Sequence, residues 1–381
     1  MKNDMLQYLD SCQEELKQLI RDLCAIPAPS HHEERRAAFC KAWLEANGGK
    51  DVSIDEALNV ICPHHVSQDG PLTVFMAHTD TVFPDMEPMP FVEDEETFRC
   101  PAVGDDTANL AIMMICARYF LQKDIPGKTG ILFVANSCEE GLGNLKGSRA
   151  IAKAYGDRIQ AWISFDGFSL QEVVNRAVGS HRYQVTVRTE GGHSFGAFGN
   201  RNAIAVLSSM ISTFYTVKVP REGDSKTTYN VGTISGGTSV NTIAQEAQML
   251  FEYRSDNRVC LEKMKNMFEK VIDAYRATGV EIDVTMVGDR PCAGNVDPQA
   301  QQALEAKAVE SILTVTGKDP FYDSGSTDCN IPLSLGIPAV CLGLVQAKGA
   351  HTRGETLYLK SLAPGSRYCM DFLCKFFCIR I

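Results

Sequence analysis

No run of about 18 apolar residues occurs anywhere in the chain, so no segment reads as a transmembrane helix. The opening residues, Met1-Lys2-Asn3-Asp4-Met5, lead into a charged amphipathic segment and carry no signal-peptide core. Basic charge is also scarce: 37 Lys and Arg stand against 47 Asp and Glu, for a net charge of −10. That balance argues against general affinity for nucleic acid or an anionic membrane, and leaves cationic substrates and metal ions open. The 14 cysteines include no CxxC pair; they are scattered from Cys12 to Cys378, mostly inside apolar runs such as Ile115-Cys116-Ala117. They read as small buried hydrophobes in a reducing compartment, so a cytoplasmic protein is expected. Internal repeats and low-complexity segments are absent as well.

What is there is an ordinary globular composition, 44% hydrophobic and 22% charged, over 381 residues, long enough for two domains. Apolar positions at helical spacing predict a helix over 5–24, stopped by Pro27 and Pro29, and a second over 33–47 ended by Gly48-Gly49. Strands at 72–77, 130–136 and 161–165 then alternate with helices at 108–122 and 147–155. This is the rhythm of an α/β domain with a mixed or mostly parallel sheet. Near residue 180 the rhythm changes to β-α-β-β-α-β: strands at 183–188, 227–235, 247–254 and 280–287, helices at 202–217 and 260–277. A helix at 298–316 and a strand at 337–342 resume the first pattern. The expected architecture is a mixed-sheet α/β/α domain, residues 1–178 and 289–381, with an α+β, ferredoxin-like domain inserted at 179–288.

Residue types that can do chemistry gather at the predicted strand ends. In Met76-Ala77-His78-Thr79-Asp80, residues two apart share a face, so Asp80 can fix the tautomer of a metal-bound His78. Taken alone, the pair reads first as a strand-end turn with a hydrogen-bonded pair. Gly104-Asp105-Asp106 precedes an apolar helix; capping accounts for one Asp and leaves the other free. Glu139-Glu140 follows the strand at 130–136, Asp166 follows that at 161–165, and His351 lies in a Gly-rich loop after 337–342. Ligands of open α/β sheets gather at the carboxyl ends of strands. Each signal is weak by itself, and the conjunction is not. Mixed His and carboxylate ligation suits Zn²⁺ first, with Co²⁺ or Mn²⁺ as alternatives, and five such ligands imply two divalent ions sharing a carboxylate.

Taken in order, HTD at 78–80, GDD at 104–106, EEG at 139–141, DG at 166–167, GGHS at 191–194 and His351 resemble the M-twenty family of co-catalytic metallopeptidases. That family includes peptidase T, carboxypeptidase G-type enzymes, cytosolic dipeptidases, aminoacylases and succinyl-diaminopimelate desuccinylase, and the resemblance spans essentially the whole chain. It implies His78, Asp105 and Asp166 as ligands of one metal, and Asp105, Glu140 and His351 as ligands of the other. It further implies Glu139 as general base, Asp80 as the acid that orients His78, and a cis Asp105–Asp106 bond. The inserted domain would be a lid and dimerisation domain. Its His193 would reach the partner subunit's site in a homodimer, and Asn241 and Arg254 would hold the substrate's carboxylate.

Two departures from the family pattern bear on substrate. Thr107-Ala108-Asn109 stands where relatives have Lys-Gly-Gly or Lys-Ala-Gly, and Ser326 replaces a glycine in Ser324-Gly325-Ser326-Thr327-Asp328. Ser326 would add bulk and a hydrogen bond beside the substrate carboxylate. Asp at 166 is similar to the tripeptidase and dipeptidase branches. The expected activity is therefore an aminopeptidase or tripeptidase on small peptides. An amidohydrolase of N-acyl amino acids is the alternative, and a non-catalytic binding protein the third reading.

Overall fold

The computed structural model describes residues 2–379, which form two compact units: one runs to Arg176 and resumes at Gly294, the other is Ala177–Ala293. The first unit is built on a mixed eight-stranded sheet. Its strand order is Ser53–Ile54, Val60–His64, Gly130–Asn136, Leu72–His78, Ile159–Phe165, Ala339–Leu342, Glu172–Ala177, Phe321–Gly325. Gly130–Asn136, Leu72–His78, Ile159–Phe165 and Ala339–Leu342 run parallel. Every residue of Leu72–His78 is buried, as parallel strands covered on both faces require.

The two faces are separated by the strand's twofold alternation. On one, Phe75 packs with Phe133, Phe165, Phe372 and Phe376, within a core that holds the helices Ala108–Gln122 and Leu362–Cys374. On the other, Met76 Sδ meets Trp162 Nε1 at 3.2 Å and Ser148 Oγ, from the helix Lys146–Tyr155, at 3.7 Å. The result is the expected α/β/α layering. Ala108–Gln122 is buried around nearly its whole circumference, which makes it the central helix of its layer.

Parallel pairing puts the carboxyl ends of the central strands, His78, Asn136, Phe165 and Leu342, on one edge of the sheet. Several elements escape the sequence pattern: the short sheet Ala347–Lys348, Thr356–Tyr358, Thr97–Arg99, Val92–Glu93, the edge strand Phe321–Gly325 and the helix Leu362–Cys374. The predicted helix over 5–24 is two helices, Lys2–Ser11 and Gln13–Cys24. Ser11 Oγ donates to the Tyr8 carbonyl at 2.7 Å, a side-chain bond that competes with the helical ladder at the junction.

The second unit has an antiparallel sheet in the order Thr227–Gly236, Glu246–Ser255, Gly179–Arg188, Glu281–Arg290, with the helices Ala203–Phe214 and Arg258–Arg276. Asn202 and Asn257 cap these helices through side-chain oxygens. Burial alternates along Glu246–Ser255, so one face packs Phe251 against Phe214 and Phe268, and Tyr183 stacks on Phe268. Among the described residues no helix is long and apolar enough to cross a membrane.

Candidate metal centre and active site

His78, Asp80, Asp105, Glu139, Glu140, Asp166 and His351 converge at the carboxyl edge of the large sheet. His78 ends its strand with a fully buried side chain. Its Nδ1 lies 3.0 Å from the Asp80 carbonyl and 3.5 Å from Asp80 Oδ1, so Nε2 is the nitrogen turned to the cluster. His78 Nε2 is 3.0 Å from Asp105 Oδ1 and 4.0 Å from Asp166 Oδ1. His351 Nε2 is 3.2 Å from Asp105 Oδ2 and 3.3 Å from Glu140 Oε1. Asp105 thus turns one carboxylate oxygen to each histidine. Donor atoms of His78, Asp105 and Asp166, and of Asp105, Glu140 and His351, lie within 4.8 Å of one another in each group.

The backbone around Asp105 is held by residues the sequence pattern does not mark. Asp105–Asp106 is a cis peptide within the turn Val103–Thr107. The buried Glu355 accepts the N–H groups of Gly104 and Asp105 through Oε1, at 2.6 and 2.9 Å, and that of Ala102 through Oε2 at 3.2 Å. A Cβ on Gly104 would stand 2.6 Å from the Ala347 Cβ, which is why glycine occupies this position. Asp106 points away from the histidine pair. Its Oδ2 accepts the His78 N–H at 2.9 Å and its Oδ1 accepts the Asn109 amide at 2.7 Å. Asn109, one of the departures from the family pattern, also donates to Gly104 and Gly167 carbonyls and accepts the Leu344 N–H at 2.9 Å. Its amide spans the helix start and two strand-end loops.

Asp80 serves a second loop. Its Oδ1 accepts the Glu139 N–H at 2.9 Å and its Oδ2 the Glu140 N–H at 3.0 Å, with Ser30 Oγ at 2.6 Å from Oδ2. Between His78 and Asp80, the Thr79 carbonyl accepts Arg36 Nη1 at 2.8 Å; that guanidinium also takes the Leu23 and Ile26 carbonyls at a helix end. Asp328, buried, accepts the Asn136 amide at 2.6 Å, and Ser326 lies half-buried two residues before it.

Crowding of acids governs the electrostatics. Burial, then Asp105 and Glu139, lift the Glu140 carboxyl to about 7 against the pull of His351. Burial with Asp105 and Glu139 holds Asp166 well above the usual carboxylate range. Burial also acts to raise Asp105, but the His351 and His78 imidazoles outweigh it and hold that carboxyl down. The Asp105 and Glu140 carboxylates beside it raise His351 to about 10. Glu140 Oε1 is buried and accepts no hydrogen bond. An excess of buried carboxylate, an orphaned oxygen and a donor set of imidazoles and carboxylates fit divalent cations of the Zn²⁺, Co²⁺ and Mn²⁺ type.

The other candidates belong to the second unit. His193 pairs with Thr242 in a short ribbon, and its Nδ1 accepts the N–H groups of Phe195 and Gly196, both at 3.3 Å. The Asn241 carbonyl accepts the Ser194 N–H at 3.0 Å. Arg254 forks onto Glu252 at 2.9 and 3.0 Å. Register places Arg254 opposite Ser180 at one end of the sheet, whereas Arg188 and Glu246 pair at the end nearer His193 and Asn241. The two ends are roughly 26 Å apart at about 3.3 Å per residue.

Residues 74–375 match the model of Peptidase family M20/M25/M40. The chain is 26% identical over 366 residues to the uncharacterized protein YqjE of Bacillus subtilis (strain 168), covering 90% of this chain and 92% of that one. It is 26% identical over 309 residues to a succinyl-diaminopimelate desuccinylase of Pseudomonas syringae pv. syringae, covering 74% and 78%. A tripeptidase structure from Staphylococcus aureus subsp. aureus Mu50 shares the fold, with a TM-score of 0.75 at 23% identity over 94% of this chain and 97% of that chain. The chain belongs to peptidase family M20/M25/M40 and is a metal-dependent peptidase or amidohydrolase.

Proposed function

We propose that the protein is an aminopeptidase or tripeptidase of short peptides, with His78, Asp105 and Asp166 holding one divalent cation and Asp105, Glu140 and His351 a second. The division of the two Asp105 oxygens between His78 and His351 carries this reading, since one carboxylate placed so can serve two ions. Cations held there would polarise the scissile carbonyl and acidify water. Zn²⁺ is the ion favoured, with Co²⁺ or Mn²⁺ alternatives from the same donor set.

Glu139 is buried beside the cluster, with its N–H fixed by Asp80. Its carboxylate takes the proton of the attacking water and returns it to the leaving amine. His193 accepts at Nδ1, so its neutral ring carries a proton on Nε2, ready to donate to the oxyanion. Arg254 presents a planar fork suited to a substrate carboxylate once it leaves Glu252, and Ser326 adds a hydroxyl near that group. Because Arg254 and the His193–Asn241 end are far apart, one substrate can meet both only if two copies contribute. This supports a homodimer made through the second unit, with His193 acting on the partner's substrate. The scattered cysteines, none paired among the described residues, support a cytoplasmic setting.

The likeness to a desuccinylase favours a second reading, the removal of acyl groups from N-acyl amino acids. A panel of tripeptides, dipeptides and N-acyl amino acids, assayed with Zn²⁺, Co²⁺ and Mn²⁺ in turn, separates the two. Release of amino-terminal residues from peptides is the expected result; turnover confined to acyl compounds overturns the first reading.

A further inference from the structure

His64, His65 and Asp124 meet at the other end of the sheet from the acid cluster. His64 pairs with Ile131 at the start of Gly130–Asn136, and the cluster lies at that strand's far end. Five residues separate the two points, roughly 17 Å at about 3.3 Å per residue. One donor atom from each of the three side chains lies within 4.8 Å of the others. His65 Nε2 is 3.3 Å from Asp124 Oδ1, and the two imidazole centroids are 4.4 Å apart. The three residues line a surface cleft of about 420 Å³ with Lys50 and Asp51.

His64 is the buried member, and its Nε2 lies 2.7 Å from the Ile125 carbonyl. A carbonyl only accepts, so Nε2 donates and the neutral ring keeps its lone pair on Nδ1. An imidazole pinned through one nitrogen to a backbone carbonyl is how metal-bound histidines are oriented. Burial holds His64 below its ordinary pKa, which keeps the ring neutral at pH 7. His65 and Asp124 both adopt left-handed backbone, at φ 49° each, a conformation non-glycine residues take where the surroundings dictate it.

We propose that His64, His65 and Asp124 form a third cation site, for a divalent ion of borderline softness such as Zn²⁺, with water completing the shell. Two imidazoles and one carboxylate match that ion's preferences. Lys50 Nζ now stands 3.5 Å from Asp124 Oδ1 and competes for it. Its side chain is 74% exposed, so it can swing into water when the cation enters. The ion would tie the end of Val60–His64 to the loop after Ala108–Gln122. It would be structural or regulatory, and independent of the Asp105 cluster.

The test is equilibrium dialysis of the full-length protein against Zn²⁺, with bound metal counted per chain. His65→Ala and Asp124→Ala alter exposed side chains and are expected to bind one equivalent fewer than wild type at unchanged peptidase activity. Lys50→Met is expected to take up that same equivalent at several-fold lower free Zn²⁺. Equal stoichiometry in wild type and both alanine variants overturns the proposal, as does a Lys50→Met uptake no tighter than wild type. Since the readout is a difference between chains, it stands whether or not the Asp105 cluster holds two ions.

Discussion

Asp80 Oδ1 accepts the main-chain N–H of Glu139 at 2.9 Å, so the acid beside His78 also sets the position of the proposed base. Oδ2 does the same for Glu140. Asp80→Asn keeps the shape but places an amide against two N–H donors, and is expected to weaken metal binding about 10–100-fold, the usual effect of removing an orienting partner. Dialysis against graded free Zn²⁺ measures it; unchanged affinity and turnover would show that Asp80 positions nothing.

Glu139→Gln retains volume and removes the proton acceptor. Turnover is expected to fall by about 10²–10⁴-fold, the range for a lost acid–base group, while bound metal per chain stays as in wild type. Joint loss of metal and activity would make Glu139 a ligand.

If His193 serves the partner's substrate, two inactive chains can repair one another. Mixing Glu139→Ala with His193→Ala chains under conditions of subunit exchange is expected to restore activity, because one site then combines an intact Glu139 with an intact His193. No recovery in a verified heterodimer would place His193 in its own chain's site.

Stripping the metals changes the sign of the pH response. In the metal-free chain Glu140 rises from 4.5 to about 7 and His351 from 6.5 to about 10. Folded pKa values above the unfolded ones mean the folded state holds protons more tightly. Stability from these groups is complete below the unfolded values and is lost as pH rises through the folded ones. Tm of chelated protein is therefore expected to fall from about pH 5 to about pH 10. Metal ligands must be deprotonated, so stabilisation by added Zn²⁺ is expected to grow over the same range. A parallel pH trend with and without metal would contradict this.

The acids and histidines at strand ends were legible because parallel sheets gather their carboxyl ends, and the residue types there are the ones that bind metal. His78, Glu139-Glu140 and Asp166 follow directly from that rule. Glu355 did not stand out, since its role depends on N–H groups 250 positions earlier, and a single Glu in a polar loop has no periodic signature. Asn109 was visible only as a departure from pattern; its four hydrogen-bonding partners come from three loops that no local rule connects. The short sheet around Thr356–Tyr358 was missed for a related reason: strands of two or three residues are too brief to show alternation.

Glu355 sits four residues beyond His351 yet grips the backbone of Gly104 and Asp105. The loop bearing a ligand of one proposed ion is thereby fastened to the carboxylate shared by both. Filling either position steadies the other, so the pair should load cooperatively, with half-loaded chains scarce at every metal concentration. Cutting that tie with Glu355→Ala should flatten the loading curve into two separate steps.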